Sequence, residues 1–320
     1  MEHFDLLNPF GTGFLPVGDW TENGLQWVVG EFRDFFQAMK QPINAVLTTL
    51  EQGLRGTPST VTIAALFLLA WQVAGLRIGF LVVFCLALIG SIGAWGNAMT
   101  TLAIVLTSVI FCTAIGIPLG IFAARSDAFN RVLRPALDFM QTIPSFVYLV
   151  PIVMLFGIGN VPGVIVTIIY ALAPVVRLTN LGIRQVRYDL VEASVAFGGS
   201  PRQTLMKVQL PLALPTIMTG VNQTVMMSLA MSVIASMISV TGLGQMVLRG
   251  IGRLDISLAT TGGLGIVLIA IVVDRISQGF GQTRRDRGRR NWYETGPVGF
   301  LRRFVKSKAL RKDSSVAASS

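Results

Sequence analysis

Five long stretches of this 320-residue chain contain no Asp, Glu, Lys or Arg. A helix needs about 20 predominantly apolar residues to cross the hydrocarbon core of a bilayer, and each stretch has roughly that length or more. Five such stretches cannot all be buried strands in a domain of this size. The fold class we predict is therefore an all-α polytopic membrane protein. The charge-free stretches are 56–76, 78–124, 139–176, 208–248 and 256–273.

Some of these stretches are too long for one crossing and contain their own break. Residues 90–97 read Gly-Ser-Ile-Gly-Ala-Trp-Gly-Asn, and residues 157–163 read Gly-Ile-Gly-Asn-Val-Pro-Gly. Clusters of Gly and Pro with Asn are typical of turns. The breaks bring the predicted count to about seven transmembrane helices. These lie near residues 58–75, 77–94, 99–123, 143–159, 162–179, 215–239 and 258–274.

Lys and Arg gather in three segments that fall on one side of a seven-span topology. Arg125, Arg131 and Arg134 lie between the third and fourth spans, five basic residues lie in 177–207, and twelve lie from Arg275 onward. Basic residues concentrate in the cytoplasmic loops of membrane proteins. We therefore predict a multi-pass protein of the plasma membrane, with the N-terminus outside and the C-terminus in the cytoplasm.

The chain divides by composition into three parts. Residues 1–56 lack the features of a secretory signal. Their apolar residues recur at helical spacing, which predicts an amphipathic helix that lies either on the outer membrane surface or on the protein's own spans. Residues 57–281 form the predicted transmembrane domain, and residues 282–320 form a basic tail. Contact with anionic lipid explains this tail better than nucleic-acid binding does, and ionic-strength sensing is a further hypothesis.

Residues suited to catalysis are scarce. The single histidine is His3, and the two cysteines, Cys85 and Cys112, lie inside apolar spans, where a cysteine acts as a small hydrophobic side chain. We therefore expect no catalytic residue, metal site or disulfide framework. No Lys follows a Gly in the sequence, so the phosphate-binding loop G-x-x-x-x-G-K-[ST] is missing. If ATP is used, another polypeptide must bind it.

A polar, charged segment from Arg187 to Pro211 separates the fifth and sixth spans. Asp189-Leu-Val-Glu192 and Ser200-Pro-Arg-Gln203 both fit the capping-box pattern at a helix start, and a Gly-Gly pair follows the first helix. The pattern predicts a short helix, an elbow, and a second short helix that ends near Pro211. Such a compact knob could sit in a cleft of a partner and transmit rigid-body motion into the attached spans.

The residues of this segment closely resemble the EAA loop of ABC importer permeases. The family pattern reads Glu-Ala-Ala, three residues, Gly, nine residues, Ile, one residue, Leu-Pro, and this chain departs from it only by Ser194 for Ala and Val208 for Ile. The resemblance implies that the loop, residues 187–212, inserts into a cleft of an ATP-hydrolysing subunit. The coupling residues it implies are Glu192, Ala193, Ser194, Gly198, Gly199, Val208, Leu210 and Pro211.

Further segments resemble the glycine betaine/proline betaine permeases of this superfamily, which also include choline and related osmoprotectant permeases. The resemblance implies a type I ABC importer permease with a MetI-like fold in a bacterial inner membrane. It implies two copies of an ATPase that binds ATP and Mg²⁺, a periplasmic or lipid-anchored binding protein, and a second permease copy. No cofactor is implied for this chain. The segments are 209–223, 231–237, 242–250 and 274–275.

The sixth span is rich in polar residues and methionines. Polar residues within a span usually face protein or water, so we predict that this span lines a translocation path whose methionines form an adaptable apolar gate. The alternative is helix packing through Ser and Thr. Asn222 and Met226 are four residues apart, as are Gln223 and Met227, so each pair should share a face. The predicted path residues are Asn222, Gln223, Met226, Met227, Met231 and Ser232.

Two other functions stay open at this point. An importer of the same class could carry another small solute, such as an amino acid. A self-contained secondary transporter is the rival class, but it usually needs ionisable residues within its spans for ion coupling. The predicted spans contain almost none, and Asp274 lies at a predicted cytoplasmic end beside Arg275.

Overall fold

The computed structural model describes residues 17–281, and these residues are almost entirely helical. The His3 region and the basic tail of residues 282–320 lie outside the described residues. The helices are α1 (Val17–Glu31), α2 (Arg33–Gly56), α3 (Ser59–Ala74), α4 (Leu76–Ser91), α5 (Trp95–Arg125), α6 (Asp127–Thr142), α7 (Leu149–Phe156), α8 (Asn160–Arg184), α9 (Tyr188–Ala196), α10 (Pro201–Thr204), α11 (Leu210–Ala235), α12 (Leu243–Arg253) and α13 (Ile256–Gly281).

The number of full-length spans is smaller than the predicted seven. Four helical segments are long and apolar enough to cross a membrane: α5, α8, α13 and the continuous segment Pro201–Ile238 that contains α11. The count rises to six if α2 with α3, bent by 111°, and α6 with the segment Ser145–Phe156, bent by 100°, each form one broken span. The apolar helix α4 has 16 residues, or about 24 Å at 1.5 Å per residue, which is short of a hydrocarbon core of about 30 Å.

The predicted spans nevertheless coincide with helices that run alternately between two ends of the molecule. At one end, Arg184 at the close of α8 binds Asp127 at the start of α6, and Gly279 in α13 packs against Val73 in α3. At the other end, Asn160 at the start of α8 binds Thr241 just before α12. The short helices α3 and α4 form a hairpin through a single linking residue, Gly75, with φ +96°.

The two ends differ in charge. We call the end that holds the Gly75 link, α6, α9 and α10 the basic end, because ten basic residues lie there against five acidic ones. The opposite end, which holds α1, α2 and α12, has five basic and six acidic residues within the described part of the chain. The basic residues of the basic end are Arg77, Arg125, Arg131, Arg134, Arg177, Arg184, Arg187, Arg202, Lys207 and Arg275, and the acidic ones are Asp127, Asp138, Asp189, Glu192 and Asp274.

The core forms where α5, α8 and α11 pack closely through glycines. A Cβ added at Gly116 in α5 would lie 2.3 Å from the Val175 side chain in α8, and one at Gly120 would lie 2.5 Å from Thr179. One at Gly220 in α11 would lie 3.1 Å from the Val175 Cα. Small residues let helix backbones approach, which is how membrane helices gain packing energy without a hydrophobic drive between them.

The amphipathic helix α2 packs on the protein's own spans. Ile43 and Leu47 are buried in the core cluster that also contains parts of α5, α7 and α8. The Lys40 ammonium donates to the carbonyl of Phe156, at the end of α7, and the Thr100 hydroxyl in α5 donates to the Glu51 carboxylate. A cation at a helix C-terminus offsets its unpaired carbonyls. One face of α2 is therefore packed on the protein's own spans, while its other face stays exposed.

Candidate coupling site

The first arm of the predicted knob is α9, a nine-residue helix whose surface is largely open to solvent. It starts two residues earlier than the Asp189 capping box predicts, because Arg187 occupies the cap position and Asp189 lies within the first turn. The Arg187 guanidinium binds the Asp189 carboxylate through two contacts of 3.2 and 2.6 Å. Asp189 is therefore used in an ion pair rather than in a cap, and the Glu192 side chain is left exposed.

The elbow at Gly198 and Gly199 needs glycine for two different reasons. Gly198 has φ +80°, a left-handed conformation that costs other residues about 1–2 kcal/mol. Gly199 lies against α9, and a Cβ there would be 2.6 Å from the backbone oxygen of Ser194. That same oxygen accepts a hydrogen bond from the Gly199 N–H at 2.9 Å. The turn after α9 is thus closed by backbone contact that a larger residue would disrupt.

The second arm starts with the predicted capping box. The Ser200 hydroxyl accepts from the Gln203 N–H at 3.3 Å, and the Gln203 side chain accepts from the Ser200 N–H at 2.9 Å. A further bond joins the two arms directly, since the hydroxyls of Ser194 and Thr204 lie 3.0 Å apart. Sequence reasoning missed Thr204, whose only signal is a polar residue at a position that faces back toward α9.

The predicted end of the second arm near Pro211 is wrong. The helix continues from Pro201 to Ile238 without a break. Residues 205–209 form one π-helical turn, in which the Leu210 N–H bonds the Leu205 carbonyl five residues back. A proline removes one backbone donor and clashes with the preceding turn, and a π-turn is a known way to re-register a helix around such a site. The second arm and the sixth span therefore form one continuous helix.

The knob rests on a small apolar cluster at the basic end of the core. Leu205 in the π-turn is buried together with Ile183 at the end of α8 and with Ala213 and Ile217 in α11. Leu210 packs against the same cluster. A displacement of the knob would therefore be carried into α8 and α11 together, since a packed cluster of this kind deforms little.

Most of the predicted coupling residues line one open groove on the knob. Six of the eight lie there: Ala193, Ser194, Gly198, Gly199, Val208 and Pro211. Glu192 and Leu210 do not line it. The most exposed large apolar side chain of the described residues, Phe197 at 93% exposure, also lines this groove at the elbow. An aromatic side chain held in water at a rigid elbow is typical of a docking contact.

The six predicted path residues do not share one face of α11. Gln223 and Met226 are exposed, whereas Met231 and Ser232 are buried in the helix packing. Asn222 and Met227 lie between these extremes. Asn222 and Met226 are four residues apart on the uninterrupted helix α11 and so share a side of it. Asn222 is the less exposed of the two and also faces α13, where its amide donates to the Asp274 carboxylate at 3.2 Å.

Asp274 belongs to a polar network between α11 and α13 near the basic end. Its carboxylate accepts from the Gln278 amide at 2.8 Å to each oxygen, and the Ser277 hydroxyl donates to the Asn222 side-chain oxygen. None of the ion pairs within the described residues involves Asp274. Amide dipoles hold this carboxylate in place of a cation, and the described residues contain no cluster suited to a metal ion.

Comparison with known proteins decides the family. The family described as binding-protein-dependent transport system inner membrane component matches residues 116–285, which run from the middle of α5 past the end of α13. The chain belongs to this family. It is thus an inner-membrane component of a binding-protein-dependent transport system, and its apolar helices make it a multi-pass protein.

The relatives of this family member cover nearly the whole chain. It is 58% identical over 307 residues to the glycine betaine/proline betaine transport system permease protein ProW of Escherichia coli, covering 96% of this chain and 87% of the relative. It is 41% identical over 270 residues to the glycine betaine/carnitine transport permease protein GbuB of Listeria monocytogenes, covering 83% and 95%. These relatives are permeases, which agrees with the expectation that the chain is a transport component.

A solved structure supports the predicted fold. One inward-facing crystal form of the MetNI methionine ABC transporter matches with a TM-score of 0.52 and 22% identity, covering 61% of this chain and 95% of that chain. At this identity the likeness shows the fold alone. The prediction of an all-α, MetI-like polytopic permease is confirmed.

Proposed function

We propose that the chain is the transmembrane permease of an ATP-driven importer for quaternary ammonium compatible solutes, such as glycine betaine and proline betaine. The observation that carries this proposal is the 58% identity to a glycine betaine/proline betaine permease across 96% of the chain. The relative named for glycine betaine and carnitine supports the same class of solute. Choline remains a candidate substrate within that class.

ATP hydrolysis belongs, in this proposal, to a separate subunit present in two copies. The knob formed by α9, the glycine elbow and α10 docks on this subunit through its groove and Phe197. Because the second arm continues into α11, a movement of the docked knob becomes a movement of a 38-residue helix. Such rigid-body motion opens the spans alternately to either side of the membrane.

The remaining partners follow from the same proposal. A periplasmic or lipid-anchored binding protein delivers the solute to the opposite end, and a second copy of this chain completes the path as a homodimer. The excess of basic residues supports a cytoplasmic location for the basic end. The N-terminus is then outside, and the basic tail, residues 282–320, lies inside and contacts membrane lipids.

The path in this proposal runs along the exposed face of α11. Gln223 and Met226 present their side chains there, so they are the path residues we favour. The other four predicted path residues pack between α11 and its neighbouring helices and hold this face in position. They are Asn222, Met227, Met231 and Ser232. Tight recognition of a quaternary ammonium group uses an aromatic cage, which we expect in the binding protein. The permease then needs to hold the solute only weakly.

Reconstitution tests the proposed function. The permease, its ATPase and its binding protein are placed in proteoliposomes loaded with ATP, and uptake of radiolabelled glycine betaine is followed with competing solutes. We expect accumulation that stops without ATP and that proline betaine suppresses, while methionine does not compete. Accumulation of an amino acid in place of the betaine would favour the alternative solute. Accumulation by the permease alone, driven by an ion gradient, would favour a secondary transporter.

A further inference from the structure

A half-open cavity of about 410 Å³ lies at the basic end between α6 and α8. Its wall contains three arginines, Arg134, Arg177 and Arg184, together with Asp138. It is separate from the knob, since none of these residues lines the groove that contains Phe197. The coupling function proposed above makes no use of this cavity.

The three guanidinium groups are only partly neutralised. Arg177 binds Asp138 at 2.6 Å, and Arg184 binds Asp127 at 2.7 Å and the carbonyl of Ala123 at 2.8 Å. No ion pair within the described residues involves Arg134. The cavity therefore has one arginine in excess over the nearby carboxylates, held beside two others that are already oriented.

Uncharged hydrogen-bonding groups add to this wall. Asn130 and Asn180 also line the cavity and bond each other at 2.9 Å. Arginine offers a planar fork of donors that matches the oxygens of a phosphate group. An arginine in excess, flanked by amide donors, is suited to a singly charged phosphate ester.

The orientation of α6 places this cavity at the depth of lipid headgroups. The segment that follows α6 turns away by 100°, so α6 lies along the membrane surface if that segment crosses the bilayer. Its exposed apolar residues Phe129, Val132 and Phe139 recur on one side of the helix, as in interfacial amphipathic helices. These residues lie across α6 from the cavity wall, so they would anchor the helix at the membrane surface while the cavity faces α8.

We propose that this cavity binds the phosphate of an anionic phospholipid headgroup, with Arg134 as the contacting cation and Arg177 and Arg184 as supporting donors. Basic pockets between transmembrane helices on the cytoplasmic side bind such headgroups in general. A bound lipid would hold the amphipathic helix α6 at the membrane surface. Through the Arg177–Asp138 pair it would also hold the end of α8 there. It goes beyond the proposed transport function and does not depend on which solute is carried.

Lipid retention by the full-length permease tests the site. Native mass spectrometry of the detergent-purified chain is used to titrate phosphatidylglycerol against phosphatidylcholine of the same acyl chains. The variants are Arg134→Gln and, as an independent change in the same wall, Asn130→Asp. The matched control is Arg131→Gln, an exposed arginine on the same helix outside the cavity wall. The basic tail is present in every variant and so cancels in the comparison.

We expect Arg134→Gln and Asn130→Asp each to weaken retention of one phosphatidylglycerol about fivefold, with Arg131→Gln unchanged and phosphatidylcholine retention unaffected. Unchanged retention in both cavity variants would overturn the proposal, as would an equal loss in the Arg131 control. A second arm adds inorganic phosphate at millimolar concentration. We expect the phosphate not to displace the lipid. Displacement would show that the cavity binds phosphate but prefers a soluble ligand, which would overturn the assignment to a lipid.

Discussion

The hydroxyl groups of Ser194 and Thr204 lie 3.0 Å apart and join the two arms of the knob. Thr204 is buried at 4% exposure, so this bond is shielded from water and is stronger than a surface contact would be. Because it spans the elbow at Gly198 and Gly199, it fixes the angle between α9 and the helix that becomes the sixth span. A fixed angle lets a push on α9 move α11 as one body.

Removing this bond should loosen the elbow without abolishing the fold. The variants are Ser194→Ala, Thr204→Val and the two together. We expect each single change to speed amide exchange in residues 197–204 about fivefold, the equivalent of about 1 kcal/mol for one hydrogen bond. The double variant should exchange no faster than either single one, because all three lose the same bond. If the increases in exchange rate from the two single changes added in the double variant, the hydrogen bond between Ser194 and Thr204 would be contradicted.

The two glycines of the elbow should differ in their tolerance of alanine. At Gly198 a Cβ would meet nothing within 4 Å, so Gly198→Ala is destabilised only by the left-handed backbone conformation. Gly198→Asn should be destabilised less, because Asn adopts that conformation more readily than Ala. At Gly199 a Cβ would meet the Ser194 oxygen at 2.6 Å, so Gly199→Ala must shift the end of α9. We expect the ATPase subunit to copurify less with Gly199→Ala than with Gly198→Ala. The reverse order would show that space at the elbow is not what matters.

Much of the fold followed from the sequence because charge and hydropathy are one-dimensional patterns. The charge-free stretches located α5, α8, α11 and α13, the helical spacing of apolar residues located α2, and the turn residues near 90–97 and 157–163 marked breaks that the structure retains. The lengths of the spans were less predictable. The lengths of α3 and α4 are set by the link at Gly75, which has φ +96°, and by the packing of α3 on α4, where Phe67 lies against Gly79.

The site was predictable where the signal was local and missed where it was not. The Ser200 capping box depends on residues three apart and was found. The first capping box failed because Arg187 competes for Asp189, and the end at Pro211 failed because a π-turn absorbed the proline. The turn of Asn222 toward Asp274 depends on a helix 52 residues away, which no pattern within α11 reveals.

The pair formed by Arg177 and Asp138 should contribute little stability although it is short. Both side chains are roughly half exposed, at 40% and 55%, and exposed pairs contribute about 0–1 kcal/mol. We expect Asp138→Asn to lower the midpoint of thermal unfolding only slightly, and the charge swap Asp138→Arg with Arg177→Asp to restore it. Arg131→Gln on the same helix serves as the control. A loss of folding in Asp138→Asn would show a larger role than solvent screening allows.

The proposed path along α11 predicts a pattern of thiol accessibility in the assembled transporter. Cysteines placed at Gln223 and Met226 should react with a water-soluble thiol reagent, and excess solute should slow that reaction. Cysteines at Met231 and Ser232 should not react, because both positions are buried. The native Cys85 and Cys112 are also buried, so the unmodified chain gives the background. Uniform protection of all four positions would rule out this face as the path.

Docking of the knob at the basic end on a separate ATPase subunit can be tested at Phe197. Phe197 is 93% exposed, so Phe197→Glu removes a contact without disturbing the fold. The matched control is Leu254→Glu at the opposite end, where the side chain is 88% exposed. The measurement is the amount of ATPase subunit that copurifies with each tagged permease. We expect the Phe197→Glu permease to lose the ATPase subunit and the Leu254→Glu permease to retain it. Full retention by Phe197→Glu would contradict docking through the elbow.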